Sequence, residues 1–318
     1  MLKNANDLVN ESQQVRPSVF EAIIKTLLYF DIFNYPLTKD EIRRFLGRNA
    51  GAKDVEEALK MLVAGDYVFQ FNEFISIQNN KENIVRRLKG NEMARKLLPL
   101  AKKKAGLIGA FPFVRAVMAS GSLSKDYMDE NSDLDFFIVT DPGRLWIARM
   151  LLVMYKRVFL KNSHKYFCVN YFVSSDRLEI EEKNQFTATE LATVIPLYNQ
   201  HLYLDLLESN GWLTRFYPNF IPRPVSEKKE KTSSLKHIME NVINLLGGRM
   251  IDSWCMRLTY KRWVKVYQSH YSPADFKIAF KTRKYASKNH PKHYQKKITE
   301  VLEEKWRTYA QHFNLDII

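Results

Sequence analysis

The chain has 318 residues, 46% of them hydrophobic and 13% aromatic, enough for a sizeable core spread over two or three domains. With 26% of residues charged it is not a wholly disordered chain, and its two cysteines, Cys168 and Cys255, exclude a disulfide framework or a cysteine-based metal knuckle. No uncharged apolar run reaches about 18 residues. The most apolar stretch, Leu145 to Leu160, is interrupted by Arg149, Lys156 and Arg157, so no transmembrane helix is expected. Met1 to Glu11 lacks the basic-then-apolar layout of a signal peptide. A reduced, cytoplasmic protein with no membrane partner is the expectation.

The net charge of +14 is uneven. Residues 226–318 carry 19 basic and 9 acidic side chains, a net of +10, and from Arg257 to Lys297 Asp275 is the only acid. Such a block suits a polyanionic partner such as nucleic acid, and it equally suits a solvated helix face.

Residues 18–77 predict three short helices and a hairpin. Phe20, Ile23, Ile24, Leu27 and Leu28 form the apolar stripe of the first helix. Tyr35-Pro36 breaks the chain, and Thr38 with Glu41 forms a capping box that starts the second. Asp54 with Glu57 repeats the signal before a third helix, whose core face is Val55, Leu59 and Leu62. Tyr67–Phe71 and Phe74–Ile77 read as strands turning at Asn72-Glu73. This order resembles a winged-helix domain, assigned to residues 1–80. DNA readout by it is not expected. The third helix would lead into the groove with Asp54, Glu56 and Glu57, which phosphates repel, and Arg43, Arg44 and Arg48 could touch only backbone.

A basic helical connector (residues 81–110) leads to a central domain, residues 111–222. Val114–Ala119, Leu134–Thr140 and Tyr166–Val173 read as strands. Asp141-Pro142 reads as the start of a helix running to about Phe159, and a further helix covers Gln185–Ile195. Arg223–Ser234 reads as an exposed linker to a basic helical C-terminal region, residues 223–318, with helical spacing over 235–268 and 292–310.

The stretch that carries chemistry is Val117-Met118-Ala119-Ser120-Gly121-Ser122, ten intervening residues, then Asp133-Leu134-Asp135-Phe136. The period of two in a strand sends Asp133 and Asp135 to one face and Leu134 to the other. Two carboxylates projecting together repel unless a cation joins them, and hard oxygen ligands in this pattern suit Mg²⁺ held together with substrate phosphates. Gly121 lets backbone approach a phosphate, and the hydroxyl and amide of Ser122 can donate to it.

The pattern resembles the polymerase-β-like nucleotidyltransferase superfamily, whose signature is a hydrophobic residue, Gly, Gly or Ser, nine to thirteen residues, then acid–hydrophobic–acid–hydrophobic. Gly121, Ser122, Asp133 and Asp135 match it position by position, and the resemblance covers about residues 113–173. It implies an α+β fold with a mixed sheet, and Mg²⁺-dependent transfer of a nucleoside monophosphate from an NTP to an acceptor hydroxyl. ATP is taken as the expected donor, although nothing in the sequence names the base. The resemblance assigns Asp133 and Asp135 as metal ligands. A third carboxylate usually lies on a later strand, and here Asn170 stands at that place. An amide oxygen ligates weakly and takes no proton. Three alternatives follow: a site with two acids still turns over by positioning and electrostatics, another acid such as Asp176, Asp129 or Glu130 leans in as base, or the site binds nucleotide without turnover as a regulatory module.

Lys125 stands where many small relatives carry an arginine and is a candidate phosphate contact, as is Arg144 at the start of the following helix. Lys156, Arg157 and Lys161 are expected to coat that helix. The histidines, including His164, His201, His237, His290 and His293, show no metal spacing. Trp254, Trp263, Tyr260 and Tyr267 alternate with Arg257, Lys261, Arg262 and Lys265. They read as helix core with a cationic rim, or alternatively as a single-stranded nucleic-acid platform.

Overall fold

The computed structural model describes residues 18–163, 165–226, 230, 233–290 and 294–313, with the side chains of 294–296 left aside. The expectations placed on Met1–Glu11, on His164 and His293, and on part of the Arg223–Ser234 segment lie outside these residues. Helix prevails at 56% against 13% strand, and the larger sheet mixes parallel and antiparallel pairs, which is the α+β class expected. The chain divides into two compact units. The first holds residues up to Ile84 with Thr214–Ile221 and the segment from Val301; the second holds Val85–Leu213 and Pro222–Glu300.

In the first unit α1 (Val19–Asp31) is capped by the Ser18 hydroxyl, which accepts the Glu21 N–H at 3.1 Å. It buries Ile23, Ile24, Leu27 and Leu28. A two-residue strand β1 (Leu37–Thr38) follows, too short for periodicity to reveal. It leads into α2 (Lys39–Arg44), whose capping box closes with the Thr38 N–H on Glu41 Oε2 at 2.8 Å and the Glu41 N–H on the Thr38 hydroxyl at 3.3 Å. In α3 (Ala52–Ala64) the cap is Gly51 rather than Asp54: the Asp54 carboxylate reaches back to the Gly51 N–H at 3.0 Å, so Asp54 sits in the first turn. Val55, Leu59 and Leu62 are buried as expected. The hairpin β2 (Phe69–Phe71) and β3 (Phe74–Ser76) turns at Asn72-Glu73, and β1 joins it to give the order β1-β3-β2. Later parts of the chain complete this unit. Asn219 Nδ2 donates to the carbonyls of Arg43 and Arg48, and the Lys305 ammonium meets Asp31 at 2.7 Å.

The second unit takes in most of α4 (Lys81–Gly109). Ala94, Ala101, Ala105 and Ile108 enter the core, so the expected connector is a packed wall. Five strands follow the order β7-β4-β5-β6-β8: β4 (Val114–Ser120), β5 (Asp135–Thr140), β6 (Cys168–Ser174), β7 (Ile195–Tyr198) and β8 (Ala286–Lys288). Only β5 and β6 are parallel, joined through α6 (Leu145–Phe159). That helix begins three residues later than Asp141-Pro142 suggests. Arg115 holds the Asp141 carboxylate, with Nε to Oδ1 at 2.6 Å, and the Asp141 N–H bonds Phe113 O at 2.9 Å, which keeps the strand end extended. The expected helix over Gln185–Ile195 splits into α7 (Gln185–Thr193) and strand β7. Pro196 is tolerated in β7 because the strand is an edge.

After α8 (His201–Ser209) the expected linker is anchored at its start. The Arg223 N–H donates to the Tyr203 hydroxyl at 3.0 Å and its guanidinium to Ser124 O at 3.0 Å. The helical spacing over 235–268 is broken at Gly247, whose φ of +87° separates α9 (Ser234–Leu245) from α10 (Gly248–Tyr267). Two further helices, α11 (Pro273–Ala279) and α12 (Tyr294–His312), flank β8. Trp263 is buried against Trp146 and Phe280, and Tyr267 stacks on Phe280 at 4.6 Å, whereas Trp254 and Tyr260 stay exposed. Among the described residues no helix is long and apolar enough to cross a membrane, and Cys168 and Cys255 are buried thiols rather than a disulfide.

One residue of α10 fixes the crossover helix. Asp252 Oδ1 accepts the buried N–H groups of Trp146 at 2.8 Å and Ile147 at 3.0 Å, an anionic cap on the first turn of α6. Each orphaned buried donor costs about 1–3 kcal/mol. Asp252→Ala is expected to lower the thermal midpoint by roughly 4–15 °C, and Asp252→Asn, which keeps an acceptor oxygen, by clearly less. Calorimetric melting of the three proteins checks the order.

Candidate active site

Strand pairing assembles the Gly-Ser turn and the acid pair. In the antiparallel β4–β5 register Ser120 stands opposite Asp135, so Gly121 is the first residue past the pairing. It takes φ +65°, and a Cβ built there would lie 2.4 Å from Asp135 Oδ2. The carboxylate therefore rests against the glycine backbone, and no residue with a side chain can replace Gly121 without moving it. Phe136 and Ile138 enter the core, leaving Asp135 on the opposite face of the sheet. Ladder hydrogen bonds continue to Leu134, whose N–H donates to Lys165 O at 2.8 Å and whose carbonyl accepts the Cys168 N–H at 3.0 Å. That holds half-buried Asp133 just ahead of the strand.

Asn170 reaches Asp135 through a register shift. Phe136 pairs with Val169 but Phe137 pairs with Tyr171, so Asn170 is the extra residue of a bulge. Its Nδ2 donates to Asp135 Oδ1 at 3.1 Å. Gly121, Asp135 and Asn170 are thus in one place, with Ser122 in the short helical turn α5 (Gly121–Ser124) beside them. The Ser124 hydroxyl ties that segment down, donating to Gly121 O at 2.8 Å and meeting the Thr193 hydroxyl at 3.1 Å.

Burial, then the like charges of Asp133 and Glu190, push the Asp135 carboxyl up to about 6, against the pull of Cys168 and Lys125. Burial, then the carboxylates of Asp135 and Asp133, push the Cys168 thiol up as well, so it stays protonated. Lys156 does not coat its helix. It is buried, which lowers its ammonium, and it lies within electrostatic reach of Cys168 and Asp133.

Glu190 is a site residue that sequence reasoning missed. It stands on α7, and its Oε1 meets Lys125 Nζ at 2.6 Å while that ammonium also donates to Gly121 O at 3.1 Å. Lys125, expected as a phosphate contact, is thus engaged across the turn. Strand β8 adds further groups that no motif announced. The Asn289 N–H bonds Asn170 O at 2.9 Å, and buried Lys288 lies 5.7 Å from the Tyr171 ring centroid. Burial and then Lys288 depress the His290 imidazole to about 4, against Glu190, which keeps it neutral at physiological pH. The negative charge of Glu190 therefore reaches Asp135, Lys288 and His290 alike.

Other expected residues are not brought in. Arg144 precedes α6 beyond the far end of β5, six residues at about 3.3 Å each from the Asp135 end. There its Nε donates to Asn244 Oδ1 at 2.7 Å, so it is no part of a site built on Asp135. Asp176 follows the far end of β6 and accepts from the Ser174 hydroxyl. Burial alone would raise the Asp129 carboxyl, but hydrogen bonds from Ser132, Tyr127 and the Asn131 N–H hold it below its usual range, which unsuits it as a base. Glu130 is exposed in the loop. Among the described residues no cluster of three or more His, Cys, Asp or Glu side chains is arranged to hold a metal ion.

Comparison with protein-family models, curated proteins and solved structures finds no match for this chain. The functional reading rests on the site itself.

The Asp135 shift carries a consequence for stability. The folded chain keeps the Asp135 proton up to about 6, whereas the unfolded chain releases it near the ordinary value of 3.8. Between those values the unfolded state binds fewer protons, so Asp135 disfavours folding as pH rises through this window and stays unfavourable above it. Asp135→Asn is expected to melt higher than the native chain at pH 8, with the difference vanishing near pH 4. A midpoint difference independent of pH, measured by thermal denaturation, would contradict this.

Proposed function

We propose that this chain is a Mg²⁺-dependent nucleotidyltransferase that moves a nucleoside monophosphate from an NTP, with ATP as the expected donor, to an acceptor hydroxyl. The observation that carries the reading is the Asp135 carboxylate lying against the backbone of Gly121, where the Gly-Ser turn meets the first residue of β5. The donor set fits the ion. Mg²⁺ is commonly held by one or two carboxylates together with substrate phosphates, so Asp133 and Asp135 suffice without a third protein ligand. The half-buried Asp135, raised by desolvation and then by two neighbouring carboxylates, is the kind of group a cation stabilises. Bound there with the triphosphate, the ion would offset the negative charge that gathers on the phosphates during transfer.

Each residue then has a task. Gly121 makes room for the Asp135 carboxylate against main chain, and the Ser122 hydroxyl and amide would donate to a phosphate. Lys125, on releasing Glu190, is placed beside the same turn as a phosphate contact. Asn170 orients Asp135 through its amide and cannot accept the acceptor's proton. That amide also favours a second reading, a nucleotide-binding or regulatory module of the same fold without turnover.

The helix–strand–helix–helix–hairpin order of the first unit supports a winged-helix-like reading with a protein-contact role. The N-terminal half of α3 keeps its acids exposed, Asp54 on the Gly51 N–H and Glu56 in ion pairs to Lys39 and Lys60. In the C-terminal region Arg257, Lys261, Arg262 and Lys265 remain exposed and suit an acidic acceptor such as nucleic acid. Lys281 does not: it is buried between Glu181 at 2.9 Å and Glu182 at 2.8 Å.

Calorimetric titration of ATP, GTP, CTP and UTP with and without Mg²⁺ tests the reading. Mg²⁺-dependent binding to the native protein, lost in Asp133→Ala/Asp135→Ala, is the expected result; no binding of any of the four defeats it. Asn170→Asp separates the two readings, since a gain of transfer from labelled NTP in that variant alone marks a vestigial site.

A further inference from the structure

We propose that the solvent face of α9 and α10 is a docking surface for an anionic lipid bilayer, entered by the aliphatic side chains around the Gly247 turn and held by cations farther along α10.

Helix α9 is built inside out. Its two buried residues are charged and engaged. The Lys236 ammonium donates to Gly109 O at 2.7 Å and to Val114 O at 2.6 Å, and Glu240 accepts the Phe113 N–H at 2.6 Å and pairs with Arg115 at 2.8 Å. The opposite face carries Leu235, Ile238, Met239, Val242, Leu245 and Leu246, at the i, i+3, i+4, i+7 spacing that ordinarily marks a stripe facing a core. All six are exposed, Leu245 at 88% and Leu235 at 64%. Polar contacts hold this helix to the second unit, and its apolar stripe is left to water.

The stripe continues past the turn. The Arg144 guanidinium bonds Asn244 at 2.7 Å, and the Met250 N–H bonds Gly247 O at 2.8 Å, which fixes the turn. On α10 Met250 and Trp254 follow one helical turn apart, 73% and 59% exposed. Arg257, Lys261 and Lys265 continue the same helical face and are exposed as well. The order along α10 is aliphatic next to the turn, then indole, then cations.

Charge selects the occupant. From Ser233 to Ala274 the sequence holds two acids, Glu240 and Asp252, and both are buried and bonded. Among the described residues this surface therefore shows cations and no carboxylate. A second copy docked on the same face would set those cations against one another. Nucleic acid answers cations and aromatic rings, but gives no pocket to a row of leucine, isoleucine and valine. A protein partner concentrates its energy on aromatic and arginine anchors in pockets, where leucine and valine are under-represented. A bilayer with acidic headgroups meets every part: hydrocarbon for the aliphatic stripe, an interfacial level for the indole, and negative charge for lysine and arginine. Helix α9 has 12 residues, about 18 Å at the rise of an α-helix, against a hydrocarbon core of about 30 Å, so the contact is peripheral. The lack of a spanning segment bears on crossing a membrane, not on resting against one.

The test is flotation of the full chain with vesicles of equimolar phosphatidylcholine and phosphatidylserine, and with phosphatidylcholine alone. The native chain is expected to float with the mixed vesicles, less so as salt is raised, and several-fold more weakly without phosphatidylserine. Leu245→Ser/Leu246→Ser/Met250→Ser should weaken binding by about tenfold or more. Arg257→Gln/Lys261→Gln/Lys265→Gln should weaken it by about fivefold per residue on mixed vesicles and hardly at all on phosphatidylcholine. All six substituted side chains are exposed, so both variants are expected to melt with the native chain. Trp254 reports the contact directly: tryptophan emission should move to shorter wavelength on mixed vesicles, a change that Trp254→Phe removes.

Flotation that the serine variant retains in full overturns the proposal, since cations alone then account for binding. No flotation of the native chain with either vesicle overturns it too. In that case a native dimer in sedimentation equilibrium that the serine variant converts to monomer assigns the face to a second copy, and a monomer throughout points to an acidic protein partner. Nucleotide binding bears on none of these outcomes.

Discussion

A carboxylate buried against main chain sets the terms for the rest of the second unit. Asp135 sits at the start of the central strand with one oxygen on Gly121 and the other on Asn170. That placement requires a residue without a side chain at the end of β4, and a positive φ there to turn the chain away. It also calls for a donor on β6, which a bulge delivers by inserting one residue into an otherwise regular parallel ladder. The neighbouring cations answer the same demand. Lys125 comes from the turn and Lys156 from the last turns of α6, both within electrostatic reach of the acid pair. The remaining imbalance is seen in the raised Asp135 carboxyl, a local cost of the sort that functional sites retain while the surrounding core supplies the stability.

Much of this was legible in the sequence because it depends on local rules. Capping at Thr38 and Glu41, the apolar stripe of α1 and the alternation through Asp133-Leu134-Asp135 each operate within a few residues. Gly121 and the acids are separated by a loop of ordinary length, and their strands are adjacent in the sheet, so a pattern along the chain became a pattern in space. What stayed hidden depends on tertiary pairing. Strand β7 carries a proline and continues directly from a helix, and β8 has three residues whose strand character comes from the β6 edge it joins. Glu190 lies on a helix with nothing in its neighbours to distinguish it from a solvated glutamate. Arg144 was misplaced for a geometric reason: it is close to Asp135 in sequence, but an intervening strand carries the chain away from the site.

The charge of the C-terminal region shows how net charge and surface charge diverge. Lys281 and Lys288 belong to the basic block, and both are buried in the second unit. Lys236, also buried, donates to the carbonyls of Gly109 at 2.7 Å and Val114 at 2.6 Å, and burial lowers its ammonium to about 8. Beside it Glu240 accepts the Phe113 N–H at 2.6 Å and binds Arg115, which fastens α9 to the first residues of β4. A basic stretch of sequence is here partly a set of internal struts, Lys236 on the carbonyls of Gly109 and Val114 and Lys281 on the carboxylates of Glu181 and Glu182.

The sheet order has a consequence for how the protein is made. Strand β6 borders β5 on one side and β8 on the other, and β8 comes from residues 286–288, more than a hundred residues after β6. The first unit likewise takes in residues from Val301 onward. On the ribosome, β6 emerges with one edge bare and keeps it so for roughly ten seconds at ordinary elongation rates. During that interval its unpaired N–H and C=O groups are a template for any passing strand. Neither unit can close before these later segments emerge, so the first does not complete itself ahead of the second, and a nascent-chain chaperone has a defined edge to shield.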